Sequence, residues 1–254
     1  MATEGLNSVM DLLPKVEPVT YQRNLIEKAV CELRFPTVYG LVRGKPPVAL
    51  ATALRKSFPD HQTLDGLNVG VGGVAQNFGF LFKDKKKQTS VTLRAAALTV
   101  ESDAYRSFED LLEIVLFAAN AAKDVIDSEF FTRIGLRYIN SLPYEQGRIA
   151  DWVNPDLVSP LAKHALGTPA EYSGRIATGT DGEGFLLQHG IGKKDESGAE
   201  QYVLDFDVWR EDVPFSDLRG AIEQLHETEY RLFHWSIGKA ATDYMGLAKP
   251  KQRK

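Results

Sequence analysis

The order of predicted secondary-structure elements occurs twice along this chain, and this recurrence constrains the fold more than any other feature. A strand, a short helix, several further strands and a long helix follow one another in residues 21–128, and the same order returns in residues 129–246. Successive strands usually pair as antiparallel meanders, whereas strictly alternating strands and helices predict a parallel sheet. The sequence therefore predicts an α+β fold with a largely antiparallel sheet, covered on one face by the long helices.

The recurrence also leads to a hypothesis about ancestry. The two halves show no obvious residue-level repetition, so we interpret them as products of an ancient duplication. Two such meanders joined into one sheet would give the saddle-shaped architecture of TATA-binding-protein-like folds. Residues 1–20 are predicted to form an N-terminal arm, and residues 247–254 a basic C-terminal tail.

Hydrophobic periodicity places the elements of the first half. Apolar and polar residues alternate in its first segment, which is typical of a strand with one solvated face, and apolar residues recur at helical spacing in its last segment. The predicted elements are a strand at 25–35, a helix at 46–58, a glycine-rich segment at 66–73, a hairpin of strands 77–82 and 89–100, and a helix that Ser107 caps and that ends near 127.

The second half is read in the same way. Asn154 is a plausible N-cap for its short helix and Gly167 a plausible end. The predicted elements are a strand at 131–139, a helix at 155–166, strands at 171–178, 184–191 and 201–209, and one long helix at 215–245.

Composition limits the classes of protein to which the chain can belong. Of its 254 residues 43% are hydrophobic, which is enough for one large core or two smaller ones. The formal net charge of -4 disfavours nonspecific binding to nucleic-acid phosphates. A single cysteine, Cys31, excludes an internal disulfide. The N-terminal residues lack the pattern of a secretory signal and no apolar run is long enough to cross a membrane, so we predict a cytoplasmic protein with no membrane contact.

Several short motifs match known chemistry only in part. Residues 70–75 fit a dinucleotide-binding fingerprint, but a predicted strand follows them where that site needs a helix, so a flexible segment or a hairpin turn is the better interpretation. Residues 190–194 lack the features of a phosphate-binding loop and read as a charged loop. His226 begins a zinc-protease motif whose second ligand position holds a tyrosine, so His226 and His234 are interpreted as partly buried, hydrogen-bonded residues. We predict neither a cofactor nor a metal.

Charged residues on the predicted strands form the candidate binding site. Asp205 and Asp207 share one strand face, a spacing that metal-dependent phosphoryl-transfer sites also use, and their alternative role is to pair with Arg34, Arg133 or Arg137. Arg133 and Arg137 flank Gly135, so a planar anion or a partner's carboxylate could approach the backbone between two guanidinium groups. The alternative is structural pairing with acids of neighbouring strands. The candidate ligand-binding or partner-binding residues are Arg34, Arg133, Arg137, Asn140, Asp205 and Asp207.

Three segments together resemble a known family. They are the run 21–35 that leads into CELRFP, the segment RIGLRYIN at 133–140, and the C-terminal FHWSIGKAATDYMG at 233–246. The chain resembles, over nearly its whole length, a sporadically distributed bacterial family of proteins of similar length with no assigned activity. The resemblance implies a bacterial protein of patchy occurrence, a distribution often seen for genes in mobile or antiviral-defence islands, and it carries over no catalytic residue.

Two classes of function follow from these observations. The first is a non-enzymatic binding protein that recognises a protein partner or forms a homo-oligomer; nucleic acid is a further candidate partner, through Lys83, Lys85, Lys86, Lys87 and the C-terminal tail. The second is a metal-dependent enzyme acting on nucleic acid or nucleotides, which would use Asp205 and Asp207 with Arg133 or Arg137. Because no catalytic constellation is evident, we expect the binding protein.

Overall fold

A computed structural model describes residues 8–42, 44–65, 67–70, 73–76, 78–163, 167, 169–193 and 200–248. Within them lie eleven strands and six α-helices. The strands are β1 (Ile26–Arg34), β2 (Asp60–Leu64), β3 (Leu67–Gly70), β4 (Gly73–Gln76), β5 (Gly79–Lys83), β6 (Thr89–Arg94), β7 (Ala97–Ser102), β8 (Phe130–Pro143), β9 (Ser173–Thr180), β10 (Glu183–Lys193) and β11 (Glu200–Pro214). The helices are α1 (Val48–Leu54), α2 (Phe108–Ile126), α3 (Ile149–Trp152), α4 (Pro155–Ala162), α5 (Leu218–Ser236) and α6 (Lys239–Met245).

Nine of the described strands form one sheet in the order β2-β5-β6-β7-β1-β8-β11-β10-β9. The pairings β1 with β7, β2 with β5, β5 with β6, β6 with β7 and β9 with β10 are all antiparallel. The first strands of the two predicted halves, β1 and β8, are neighbours, and the last strand of each half lies beside its first. The α+β prediction with a largely antiparallel sheet is confirmed.

Residue contacts divide the chain into two compact units. Unit 1 comprises residues 1–27, 137–208 and 227–254, and unit 2 comprises residues 28–136 and 209–226. Strands β1, β8 and β11 and helix α5 each contribute residues to both units. The predicted halves describe the order of elements along the chain, whereas these units describe which residues pack together.

In unit 2, helix α2 forms as predicted. The Ser107 hydroxyl accepts a hydrogen bond from the N–H of Asp110, which satisfies one of the N–H groups that a helix N-terminus leaves free. Asp127 ends the helix in the left-handed conformation. The buried side chains of this helix recur at helical spacing and are Leu111, Leu112, Val115, Ala118, Ala119, Ala122 and Ile126.

The single cysteine, Cys31, is a small core residue of β1. It is fully buried, and burial raises the pKa of its thiol to about 12.

In unit 1, the buried faces of the strands carry large apolar side chains, and Phe206 of β11 meets Phe233 of α5 edge to face. The described part of the N-terminal arm packs onto this unit. Val9 is buried in a short 3-10 turn, and its N–H donates to Glu183 Oε1 at 2.6 Å. Tyr21 forms an isolated β-bridge with Leu247, where the C-terminal tail begins. Residues 249–254 of that tail lie outside the described residues.

The predicted long C-terminal helix is wrong in one respect, because it is two helices. Gly238 interrupts the helix in an extended conformation, and its N–H donates to the carbonyl of Trp152 at 2.7 Å. A Cβ at this position would lie 2.3 Å from the carbonyl oxygen of Asp151. The chain therefore approaches α3 at a distance that only glycine permits, and α6 begins after this contact.

Other element boundaries also needed correction. The predicted strand 89–100 is two strands, β6 and β7, and the polar strand β2 was not predicted. The helix predicted at 46–58 covers only Val48–Leu54. Residues 190–193 belong to β10, so the predicted charged loop is wrong there, and Lys194 lies outside the described residues. Strands β3 and β4 pair antiparallel, with Gly70 opposite Gly73. The turn between them, residues 71–72, lies outside the described residues.

The helix predicted to end at 166 is observed as α4 (Pro155–Ala162), and residues 164–166 lie outside the described ones. Its predicted cap is confirmed, since the Asn154 side chain accepts a hydrogen bond from the N–H of Asp156. None of the helices among the described residues has the length and hydrophobicity that a membrane span requires.

Candidate binding surfaces on the sheet

In unit 2, Arg133 lies flat across its own strand. Ile134 and Leu136 of β8 are buried in the core, and side chains alternate along a strand, so Arg133 and Gly135 lie on the opposite face. A Cβ added to Gly135 would lie 2.7 Å from Arg133 Nη1. The gap that the sequence offered to an anion above Gly135 is therefore filled by the Arg133 guanidinium itself.

An aromatic ring and a carboxylate hold this guanidinium in place. Its central carbon lies 5.4 Å from the centre of the Trp209 ring, within the range of a cation–π contact. Glu32 Oε1 lies 3.8 Å from Arg133 Nη1 and 2.6 Å from Arg34 Nε. Only 18% of the Arg133 side chain is exposed, whereas 54% of the Arg34 side chain is. We call Glu32, Arg34, Arg133 and Trp209 the Arg133–Trp209 cluster.

In unit 1, Arg137 and Asp205 form a bidentate ion pair. Arg137 Nε donates to Asp205 Oδ1 at 2.8 Å and Nη2 donates to Oδ2 at 2.6 Å. The Asp205 side chain is 14% exposed and that of Arg137 is 43% exposed. The pairing alternative that the sequence left open is thus observed for these two residues, and both oxygens of Asp205 are engaged by Arg137 in place of a metal ion.

Asn140 does not share the surface of the two arginines. Its position on β8 has the parity of the core-facing residues, and it is 2% exposed. Its amide donates to the carbonyl oxygens of Leu204 at 3.4 Å and Tyr138 at 3.5 Å. The Asn140 side chain therefore has a structural partner inside unit 1, and it lies out of reach of a partner that approaches the opposite face.

Glu229 is a buried acid that the sequence interpretation missed. It lies on α5, it is 1% exposed, and neither of its carboxylate oxygens has a hydrogen-bond partner among the described residues. Burial raises the pKa of this carboxyl well above its ordinary value of 4.5, and the charges of Asp207 and Asp205 raise it further. Burial and the two neighbouring acids therefore both favour the protonated form of Glu229. Its position was the signal in the sequence. Glu229 falls on the apolar stripe of the helix that is formed by Leu218, Ile222, Leu225 and Leu232.

A second buried polar group in unit 1 is a histidine–tyrosine pair. His189 Nδ1 and the Tyr202 hydroxyl are 2.6 Å apart on neighbouring strands β10 and β11. Burial lowers the pKa of His189 and raises that of Tyr202. A Cβ at Gly174 would lie 2.3 Å from His189 Nε2, so the absence of a side chain at Gly174 leaves the space that the imidazole occupies. The pair is a hydrogen-bonded part of the core, and both groups are neutral at physiological pH.

The two histidines of α5 were expected to be partly buried and hydrogen-bonded. His226 stacks on Phe108, with ring centres 3.9 Å apart. His234 packs between aromatic rings, and burial lowers its pKa, but its Nε2 has no hydrogen-bond partner among the described residues. The expectation of a hydrogen bond is therefore wrong for that nitrogen.

Two concave regions lined by described residues of unit 2 are open hollows. One of about 520 Å³ lies beside the turn that leads from β11 into α5, and its lining includes Asp212, Asp217 and Gln224. The other, of about 560 Å³, lies against α2 and includes the half-exposed Phe117. The Arg133–Trp209 cluster lines neither of them. Within the described residues, no group of three or more His, Cys, Asp or Glu side chains is arranged to hold a metal.

The basic turn between β5 and β6 is an ordinary hairpin connection. Asp84 Oδ1 accepts hydrogen bonds from the N–H groups of Gln88 and Thr89, and Lys87 adopts a positive φ of 58°. Lys87 Nζ lies 3.5 Å from Asp60 Oδ2. The positive charge of the turn is thus partly compensated, while Lys85 and Lys86 are exposed.

No protein-family model matches the sequence, and no curated protein matches it either.

Proposed function

We propose that this chain is a non-enzymatic binding protein and that its partner is another polypeptide, bound at the Arg133–Trp209 cluster. The observation that carries the proposal is the guanidinium of Arg133 held over Trp209 and above Gly135. Arginine and tryptophan are the side chains that most often dominate protein–protein binding energies. A guanidinium that is already fixed loses little conformational freedom on binding.

The charges around the cluster favour a polypeptide over nucleic acid. Glu32 stands between Arg34 and Arg133, and on the neighbouring part of the sheet Lys28 is paired with Glu101 at 2.7 Å. A surface that binds phosphates needs an excess of positive charge, because its affinity comes mainly from neutralising them. Mixed charges with an aromatic side chain are typical of a protein interface.

The alternative, a metal-dependent enzyme, has less support. That reading used Asp205 as a metal ligand, and Arg137 engages both of its oxygens. A metal would have to displace a bidentate guanidinium to reach them. We further propose that the protein is bacterial and that its gene belongs to a mobile or antiviral-defence island, as the family resemblance implies.

Capture from the native host followed by work with purified components tests the proposal. Proteins retained by the wild-type chain are identified, purified and titrated against the wild type and against Arg133→Met and Trp209→Leu. Each variant should weaken the affinity at least about tenfold, as expected for truncation of a central interface residue. Arg106→Met is the matched control, because this exposed arginine of unit 2 lies outside the cluster and its loss should leave the affinity unchanged.

Three results would overturn the proposal. The first is unchanged affinity of the purified partner for both cluster variants. The second is that the captured material is nucleic acid, so that nuclease treatment abolishes retention. The third is turnover of a nucleotide or nucleic acid that depends on a divalent metal and is lost in Asp205→Asn.

A further inference from the structure

Strand β9 is one of the two outer strands of the described sheet. It is eight residues long, and Ser173, Arg175, Ala177 and Gly179 are all exposed. Its only charged residue is Arg175, and the large apolar side chain of Ile176 is 38% exposed. A long, exposed edge strand with little charge is open to pairing with another chain.

The hydrogen-bond pattern shows which backbone groups of β9 face outward. The N–H of Ile191 donates to the carbonyl of Tyr172 at 2.9 Å, in register with the β9–β10 pairing. Hydrogen-bonded and non-hydrogen-bonded pairs alternate in an antiparallel ladder, so Ile176 and Thr178 direct their N–H and C=O groups toward β10. Their neighbours Arg175, Ala177 and Gly179 direct theirs away from the sheet, and no other described residue bonds to these outward groups.

The opposite edge of the described sheet is formed by β2, which is shorter than β9. Strand β2 has five residues, and its first, Asp60, lies 3.5 Å from Lys87 as an ion pair. Short length and charge are two common ways in which proteins block pairing at an edge. Strand β9 has neither form of protection along the stretch from Ile176 to Gly179. The 3-10 turn Val9–Leu12 contacts β9, but among the described residues no hydrogen bond joins this turn to the outward backbone groups of the strand.

The sequence of β9 is complementary to itself when two copies run antiparallel about Ile176. In this register Arg175 faces Ala177 of the second copy, so the two arginines do not oppose each other, and Ser173 faces Gly179. The outward N–H and C=O groups of these four residues can then form up to about eight interchain hydrogen bonds. The two Ile176 side chains meet at the centre in a non-hydrogen-bonded pair, where side chains approach most closely.

We infer that β9 is a dimerisation edge, at which a second copy of this chain adds its own β9 antiparallel and centred on Ile176. The interface is small, so it forms a concentration-dependent dimer and not an obligate one. This inference goes beyond the proposed function and does not rest on it. Strand β9 belongs to unit 1 and the Arg133–Trp209 cluster to unit 2, and Arg133→Met should dimerise like the wild type.

Sedimentation velocity of the full chain over a wide dilution series measures the monomer–dimer equilibrium. Ala177→Pro removes an outward N–H without touching a bond to β10, and it should abolish the dimer over that series. Ala177→Ser keeps the N–H and should dimerise like the wild type. Ile176→Lys places two like charges opposite each other at the centre and should also abolish the dimer. Circular dichroism and thermal melting check that each variant is folded.

Cysteine cross-linking tests the register. Under mild oxidation Ile176→Cys should form a disulfide between two copies, because its Cα atoms would lie within the reach of a disulfide. Thr178→Cys should not, since this register places it opposite Gly174. Cys31 is fully buried and does not interfere.

A wild type that remains monomeric at every concentration overturns the inference. So does a dimer that survives both Ala177→Pro and Ile176→Lys, because it must use another surface. Faster disulfide formation by Thr178→Cys than by Ile176→Cys would overturn the register.

Discussion

Two acids of unit 1, Asp205 and Glu229, are both removed from solvent but differ in their partners. Asp205 is mostly buried and forms a bidentate ion pair with Arg137, which contacts both of its oxygens. Glu229 is fully buried, has no hydrogen-bond partner among the described residues, and has a raised pKa. A carboxylate that leaves water must gain a cation or take up a proton, and this unit contains one example of each.

The comparison predicts opposite effects of substitutions at the two sites. Replacing Arg137, the partner of Asp205, should lower stability, because it leaves the Asp205 carboxylate without its cation. Replacing Glu229 by an apolar residue should add stability, because it removes a buried carboxyl that has no hydrogen-bond partner among the described residues. The following tests run from the largest expected effect to the smallest.

Glu229→Met should raise the free energy of unfolding by about 2 to 3 kcal/mol at neutral pH, since it removes an unpartnered buried carboxyl at similar volume. Chemical denaturation measures this difference. The control is Glu227→Met on the same helix, which removes the ion pair with Arg231 and should give no gain. Equal stabilisation by both variants would mean that added hydrophobicity, and not the burial of the acid, is responsible.

The same pair of proteins gives a pH test with a definite sign. The folded protein keeps a proton on Glu229 that the unfolded chain releases above pH 4.5, the ordinary pKa of the group. The stability of the wild type should therefore fall as pH rises from that value toward the raised pKa of the folded state. Glu229→Met lacks this dependence, so its advantage should shrink as the pH is lowered to 4.5. A constant advantage across this range would contradict a raised pKa.

Tyr202→Phe should lower the free energy of unfolding by about 1 to 2 kcal/mol, because it leaves Nδ1 of the buried His189 without its partner. This variant sharpens the comparison, since it turns a satisfied core group into one that resembles Glu229. Thermal or chemical unfolding is the measurement. Tyr244→Phe is the control at a half-exposed ring, where little change is expected. Identical losses in the two variants would show that the His189–Tyr202 bond contributes no more than a surface hydroxyl.

Much of the framework behind this comparison could be predicted from the sequence. Alternation along β8 and β11 separated Arg133 and Arg137 from Ile134 and Leu136, and it allowed an arginine–aspartate pair across the sheet. The choice of Arg137 for Asp205 could not be predicted, because it depends on the register between two strands far apart in sequence. For the same reason the sequence could not show that the Arg133 guanidinium covers Gly135.

Two further misses have local causes. Glu229 lies on the apolar stripe of α5, but the stripe alone does not show how deeply the helix is buried. The interruption at Gly238 was missed because the apolar spacing continues on both sides of it. A glycine within a helical pattern signals either a weak point or a close approach, and only the position of α3 distinguishes the two.

Arg137→Met should lower the free energy of unfolding by about 1 kcal/mol. The ion pair is bidentate, but Arg137 is partly exposed, so solvent screens part of its interaction with Asp205. The double variant Arg137→Met with Asp205→Leu should recover the loss, since no charge then remains unpaired. Both are measured by denaturant unfolding, and failure of the double variant to recover would show that Arg137 contributes mainly through its packing.

Lys239→Met should change the free energy of unfolding by less than about 0.5 kcal/mol, the smallest effect of the set. Lys239 pairs with Asp243 one turn along α6, and both side chains are well exposed, at 84% and 64%. Comparison with Arg137→Met isolates the effect of burial on an ion pair within the same unit. Raising the salt concentration should remove the small contribution of Lys239 and leave most of that of Arg137. Equal costs for the two variants, or equal sensitivity to salt, would show that the partial burial of Asp205 does not strengthen its pair.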